Sequence, residues 1–425
     1  MDQSIVALLI LCGLVILYAT PFVPIGVTSV LGAIAMAATG IISPAQALAG
    51  FGSDTLMMVA GMVIVGLTIH ETGLAHILVR SLLKIKFIRE SERLFLGSIL
   101  LVVCVVSAFL SNTATVALFL PLVASVAGAS GGKITKKNTF MAVGIGAVVS
   151  GNLTLISSTP QLVAQGILMQ TEGVEPLRFF DITRGALPAI AMLFVYYLTF
   201  GYKLQKKVFN FEEKPDPPAT AEEGGPVAGK SKMIISGLIF ALCVAGMITG
   251  VLTMGLVALL SASACIVTRC IPFKYAMQKM DWTAILVLGG ALGYARGLIQ
   301  SGAIDLIIRH ALEMLGHFNA GPYAILIVLM VMNLILGNVL SNTASTAIFL
   351  PIALGIAAAV EANPLMFTVG IIISSNTDFA APMCTPPITM TLSGGYRFAD
   401  YTKVGGLFGI LALVVTIIFL PILYP

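Results

Sequence analysis

Apolar runs of membrane-crossing length alternate with short polar loops along the chain, and they fall into two sets of five. With about 20 residues as the length of a spanning helix, the first half places spans at roughly 4–20, 22–39, 54–70, 139–168 and 185–202. The second half places them at roughly 233–249, 251–270, 281–299, 365–393 and 404–424. Between the third and fourth span of each set lies a longer apolar block, about 94–128 and 321–358, with polar residues at its middle. Each block is too long for one span and reads as a re-entrant helical hairpin that enters and leaves on one side. Non-helical backbone at membrane depth is tolerated only where protein or water covers it, so the hairpins imply a lined cavity.

The polar interruptions repeat. LSNTATVALFLP at 110–121 returns as LSNTASTAIFLP at 340–351. Thr72 and Gly73 align with Ser301 and Gly302, and SSTPQ at 157–161 aligns with MCTPP at 383–387, so three landmarks keep nearly one offset. A pair of kinked helices with polar glue between them would explain neither the recurrence nor the offset. Two copies of a five-span unit must insert in opposite orientations because five is odd, and inverted repeats around a midplane site are a transporter architecture. The expected fold is an all-α polytopic membrane protein. Its two inverted five-span repeats, 1–202 and 232–425, each carry a re-entrant hairpin and are joined by a flexible cytoplasmic linker at 203–231, rich in Pro, Gly, Glu and Lys.

Charge orients the chain. With hairpins that do not cross, one side receives Arg80, Lys84, Lys86, Arg89, Arg93, Lys133, Lys136, Lys137, the basic 203–232 stretch, Arg269, Lys274, Lys279, Arg397 and Lys403. The other receives Arg178, Arg184 and Arg309. The positive-inside rule puts the first group in the cytoplasm and both termini outside the inner (plasma) membrane. No cleavable signal peptide is expected, because Asp2 and no basic region precede the first apolar run. A composition of 58% hydrophobic and 10% charged residues excludes a soluble domain. The net charge of +4 follows from topology and calls for no nucleic-acid partner. The six cysteines show no CxxC pairing and read as apolar packing.

The candidate chemistry sits in the interruptions. Ser-Asn-Thr breaks the helix and caps the arm that follows, expected to start near Ala114. That arm offers free N–H groups to an anion, while the arm ending near Leu110 offers carbonyl oxygens to a cation. Pro121 and Pro351 are expected to loosen the distal part of each arm. The stretches 151–163 and 374–391 put small polar residues and prolines inside what should be single spans, so both must be broken. Oxygens from Ser150, Asn152, Ser158 and Thr159, and from Ser375, Asn376, Thr377 and Thr385, suit a hard cation such as sodium and a polar substrate. Asp378 is a carboxylate at membrane depth, read as a sodium ligand, a proton carrier, or a structural cap. Arg296, whose repeat position holds Leu67, reads as a structural or snorkelling charge. The four histidines, His70, His76, His310 and His317, offer no metal spacing, and Ser111 and Ser341 have no nearby base, so an intramembrane enzyme is not expected.

Paired Ser-Asn-Thr tips, paired Thr-Pro breaks and a two-fold inverted repeat resemble the divalent anion:sodium symporters, part of an ion-transporter superfamily that includes citrate carriers and arsenite pumps. The resemblance covers nearly the whole chain. It implies that Asn112, Thr113, Asn342 and Thr343 contact substrate carboxylates or an equivalent oxyanion, with Ser158, Thr159 and Thr385 beside them. It implies sodium sites at Ser111, Asn112, Gly151 and Asn152, and at Ser341, Asn342, Asn376, Thr377 and Asp378. It also implies sodium as coupling ion, no organic cofactor, and a homodimer. Spans 1–3 and 6–8 would form a fixed scaffold, while the hairpins and spans 4, 5, 9 and 10 would move as an elevator. The expected function is sodium-coupled symport of small divalent anions such as C4 dicarboxylates, citrate or sulfate. The alternatives are a sodium/proton antiporter or an arsenite or oxyanion exporter. Two positions depart from the family pattern: Gln161 stands where a second proline is expected, and Asp378 lies near the site.

Overall fold

The computed structural model describes residues 2–20, 22–73, 91–211, 229–316, 321–383 and 385–425. Arg80, Lys84, Lys86, Arg89, His76, His317, Cys384 and residues 212–228 of the linker lie outside these. The described residues contain helices and no strand. In the first repeat these are α1 (Gln3–Ala19), α2 (Ile25–Ala38), α3 (Pro44–Leu48), α4 (Asp54–Glu71), α5 (Glu92–Ser107), α6 (Asn112–Ala129), α7 (Lys136–Ser150), α8 (Thr159–Leu168), α9 (Thr183–Leu198) and α10 (Phe200–Val208). The second begins with α11 (Lys230–Thr249), α12 (Met254–Val267), α13 (Phe273–Gln278), α14 (Trp282–Gln300) and α15 (Ala303–Gly316). It continues through α16 (Pro322–Gly337), α17 (Asn342–Ala359), α18 (Pro364–Ser375), α19 (Pro386–Met390) and α20 (Leu407–Leu423).

By length and composition, six helices among the described residues could cross a membrane, or seven if the bent pair α9 and α10 is one span. Helices α1, α2, α12, α16 and α18 are apolar but only 10–17 residues long. The expected spans are therefore trimmed where caps intervene: α2 runs from Ile25 to Ala38 between the caps Pro24 and Thr39, and α12 starts after its N-cap Thr253, whose hydroxyl oxygen accepts the Leu256 N–H.

The packing is reciprocal. In the register of the repeats α14 corresponds to α4 and α12 to α2, and α2 lies along α14 while α12 lies along α4. Both crossings are made by a glycine against a main chain: Gly61 faces Ala258, and its repeat mate Gly290 faces Ser29, the mate of Ala258. A Cβ on either glycine would overlap the facing carbonyl, and small residues at such points let helix backbones approach closely. Gly61→Ala and Gly290→Ala are each expected to destabilise the protein by about 1–3 kcal/mol, because a backbone carbonyl cannot swing away as a side chain can. Thermal unfolding in detergent reads this out, and unchanged melting of both variants would contradict it.

The short helices after the two broken spans are exchanged between repeats. Helix α8 packs on α17 and α14, and α19 packs on α6 and α7. Leu162, Val163 and Ile167 of α8 accordingly share a core with Ala344, Ala347 and Phe349, while Ile388 of α19 shares one with Val116, Phe119 and Met141. At the base of α5, the carboxylate of Glu92 accepts hydrogen bonds from the Thr135 N–H at 3.0 Å, the Asn138 amide at 3.1 Å and the Tyr202 hydroxyl at 2.5 Å. Glu92 also pairs with Lys206 at 3.5 Å, so one acidic side chain ties α5, α7 and α10 together.

Candidate functional site

Both Ser-Asn-Thr motifs form helix starts. Ser111 Oγ accepts the Ala114 N–H at 3.3 Å and Ser341 Oγ accepts the Ala344 N–H at 3.2 Å, so each serine is the N-cap and the arms begin at Asn112 and Asn342, slightly earlier than the expected Ala114. The preceding arms end at Ser107 and Gly337 rather than near Leu110, because the last turn closes locally, with Leu110 N–H donating to Val106 and Leu340 N–H to Leu336. Both capped arms continue as helix through Pro121 and Pro351, so the expected loosening gives way to an unbroken helix held by its buried neighbours.

The broken spans supply the facing wall. Helix α7 ends at Ser150, a single 3-10 turn covers Gly151–Leu153, and α8 starts after Ser158 with Pro160 in its first turn. Helix α18 ends at Ser375, and α19 starts after Thr385 with two prolines in its first turn. Proline at this position lacks only an N–H that the helix would leave unpaired. Gln161 differs from its repeat mate Pro387 and has a use: its Oε1 accepts the Ser158 N–H at 3.1 Å, closing a capping box. Its Nε2 donates to the Gly151 carbonyl and to Asn152 Oδ1, each at 2.9 Å.

From Asn152 the amides run on across the two repeats. Asn376 Nδ2 donates to Asn152 Oδ1 at 2.7 Å, and Asn342 Nδ2 donates to Asn376 Oδ1 at 3.2 Å. At the other end Ser107 Oγ donates to Asn112 Oδ1 at 3.0 Å and to the Ala147 carbonyl at 2.8 Å. Asn112 lies so close to Gly151 that a Cβ there would overlap its amide oxygen. Thr154 donates to the Ala108 carbonyl, binding the first break to the first tip, and Thr346 Oγ1 donates to Ser375 Oγ at 2.9 Å, binding the second break to the second tip. Each tip thus adjoins the break of its own repeat, and the two breaks meet at Asn152 and Asn376.

Of the residues expected from sequence, the structure brings Asn112, Gly151, Asn152, Asn342 and Asn376 into this one buried cluster, with Ser150, Ser158, Ser375 and Thr377 buried beside it. Ser111 and Thr113 are exposed, and Ser341, Thr343, Thr159 and Thr385 are partly exposed, so these hydroxyls lie outside the buried amide cluster. Asp378 is fully buried. Arg296 is half-buried on α14. His70 pairs with Glu71 at 3.7 Å at the end of α4, and Glu71 accepts from the Tyr275 hydroxyl.

Several contributors escape sequence reading. Gln161 is visible only as a missing proline. Asn338 Oδ1 accepts the Ala380 and Ala381 N–H groups at 2.9 and 3.2 Å, holding the unwound chain after Asp378. Gly405 and Gly409, leading into and within α20, make room for the Phe379 and Thr377 carbonyls of the same segment. In the sequence these glycines look like ordinary helix-packing residues.

A family model described as citrate transporter matches residues 6–372. The chain is 22% identical to the sodium-dependent dicarboxylate transporter SdcS of Staphylococcus saprophyticus, with 100% of this chain and 87% of that protein covered. It is 26% identical to the uncharacterized transporter YfbS of Escherichia coli over 49% of this chain, and that match spans about a third (34%) of the relative's length. Among solved structures, the YdaH transporter of Alcanivorax borkumensis superposes with a TM-score of 0.61 at 12% identity, covering 90% of this chain and 89% of that one, which is a likeness of fold.

Proposed function

The chain belongs to the citrate transporter family, and from that premise we propose that it is a sodium-coupled symporter for a small divalent anion such as a C4 dicarboxylate, citrate or sulfate. It is a multi-pass integral membrane transporter and not an enzyme. The observation that carries the reading is the amide chain from Asn342 through Asn376 and Asn152 to Gln161, buried where both tips and both breaks converge. Neutral amides and capped helix starts offer N–H donors to an oxyanion and carbonyl oxygens to a hard cation without placing a fixed positive charge in the membrane.

In this reading Asn112, Thr113, Asn342 and Thr343 hold the anion, with Ser158, Thr159 and Thr385 beside it. One sodium lies among Ser111, Asn112, Gly151 and Asn152, and another among Ser341, Asn342, Asn376, Thr377 and Asp378. The names of the relatives support a dicarboxylate with sodium, since SdcS is a sodium-dependent dicarboxylate transporter. The two repeats are inverted in the membrane with both termini outside. The protein works as a homodimer in which the hairpins and broken spans ride as an elevator against α1–α4 and α11–α14.

Ligand-dependent melting of the purified protein tests the substrate class. Succinate, citrate or sulfate should raise the melting temperature in sodium chloride and much less in choline chloride, because a ligand stabilises the state it binds. Equal stabilisation in the two salts would count against sodium coupling.

A further inference from the structure

The two tips are built differently where the repeat is otherwise closest. In the first repeat Ser107 satisfies Asn112 Oδ1 with its hydroxyl at 3.0 Å. The matching position in the second repeat is Gly337, which has no hydroxyl to give, and Asn342 Oδ1 is buried with no hydrogen-bond partner among the described residues. The space that a side chain at Gly337 would fill holds the carboxylate of Asp378 instead: a Cβ there would lie 2.8 Å from Asp378 Oδ2. By the offset of the Thr159 and Thr385 landmarks, Asp378 matches Asn152, whose oxygen accepts from both Gln161 and Asn376. Asp378 is 0% exposed, and neither of its oxygens has a hydrogen-bond partner of ordinary geometry among the described residues, the Asn342 side chain being a polar neighbour. Three buried oxygens, two of them the carboxyl oxygens of Asp378, therefore lack a hydrogen bond of ordinary geometry among the described residues.

The geometry points to an unequal pair of cation sites: the second repeat holds its cation as an ion pair with Asp378, assisted by Asn342 Oδ1, whereas the first holds its cation by neutral dipoles alone. A buried carboxylate ion without a partner is costly, and either a proton or a bound cation offsets the cost; the unfilled oxygens of Asn342 and Asp378 together favour a cation when sodium is present. The occupant's chemistry follows from the donors. They are all hard oxygens, and the described residues contain no group of three or more His, Cys, Asp or Glu, so a monovalent alkali cation fits better than a transition metal. One consequence is electrostatic. A sodium ion paired with the Asp378 carboxylate leaves the second site neutral, whereas the same ion among neutral dipoles leaves the first site positive. The inference rests on the sodium-coupled reading above and assigns unequal work to its two sites.

The test is sodium-dependent melting of the full-length protein in detergent, without substrate, at constant ionic strength with choline. Wild type should be stabilised by sodium. Asp378→Asn should be more stable than wild type without sodium, because the new amide can donate to Asn342 Oδ1. It should need about tenfold more sodium, or further excess, for half-maximal stabilisation, the loss expected when a charged ligand becomes neutral. Gly337→Ala, which keeps Asp378 but fills its cradle, should weaken the sodium response in the same direction, and it carries the test if Asp378→Asn does not fold. Wild-type half-saturation in both variants would overturn the unequal pair and leave sodium coupling standing. A wild type blind to sodium in melting and in uptake would overturn the coupling itself, and the unequal pair with it.

Discussion

Asn112→Ala and Asn342→Ala are each expected to lower sodium-driven uptake by about 100-fold or more while the protein remains folded. Each asparagine is the first residue of a capped arm, buried at 8% and 4% exposure, with its amide turned to the breaks. Removing one deletes a hydrogen bond to the anion and an oxygen ligand to sodium in the proposed site, each a contact to a charged group contributing about 1.5–3 kcal/mol. A total near 3 kcal/mol corresponds to about 100-fold in affinity. The fold should survive, because the N-cap belongs to the neighbouring serine and not to the asparagine. The neighbours pay unequally: Ser107 keeps the Ala147 carbonyl as an acceptor when Asn112 is lost, whereas Asn376 Oδ1 loses the Asn342 donor. Uptake normalised to the amount of monodisperse protein measures the effect, and near-normal uptake by both single variants would remove these residues from the site.

Gly409→Ala should impair both stability and transport, and more severely than other glycine changes along the apolar helices. Its Cα faces the Thr377 carbonyl so closely that a methyl group would overlap the oxygen, and Gly405 faces the Phe379 carbonyl in the same way. Those carbonyls belong to the unwound segment between α18 and α19, which carries Asn376 and Asp378. Overpacking costs about 1–3 kcal/mol in a well-filled interior. Here relief can come only by displacing the segment that forms the site, so uptake should fall further than stability alone requires. Gly13→Ala on α1, where no atom lies within 4 Å of the new methyl, is the matched control and should leave both unchanged. Gly409→Ala indistinguishable from Gly13→Ala would show that the segment is not braced by α20.

The doubled Ser-Asn-Thr is legible because helix capping is local chemistry: a serine followed by two polar residues inside apolar text stops and restarts a helix whatever surrounds it. The breaks before Thr159 and Thr385 are legible for the same reason, since proline and small polar residues decide them within a few positions. What the sequence hides is set by contacts far along the chain. Gln161 looks like a lapse from a Thr-Pro-Pro pattern until its amide is found bridging Gly151 and Asn152. Gly337 looks like a helix glycine until Asp378, 41 residues on, fills its empty side-chain position. The exchange of α8 and α19 between repeats has no local signal, because apolar faces of similar composition can pack on either partner. Helix ends are less legible than helix existence, as α2 and α12 show, since caps trim apolar runs that hydropathy alone extends.

Uptake of radiolabelled succinate, citrate and sulfate into proteoliposomes, under an inward sodium gradient, an inward proton gradient or none, tests sodium-coupled anion symport most directly. Accumulation of at least one of the three under the sodium gradient, absent without it and not restored by protons, is the expected result. Accumulation driven by the proton gradient alone, or none of the three taken up by protein that is folded and inserted, would contradict it.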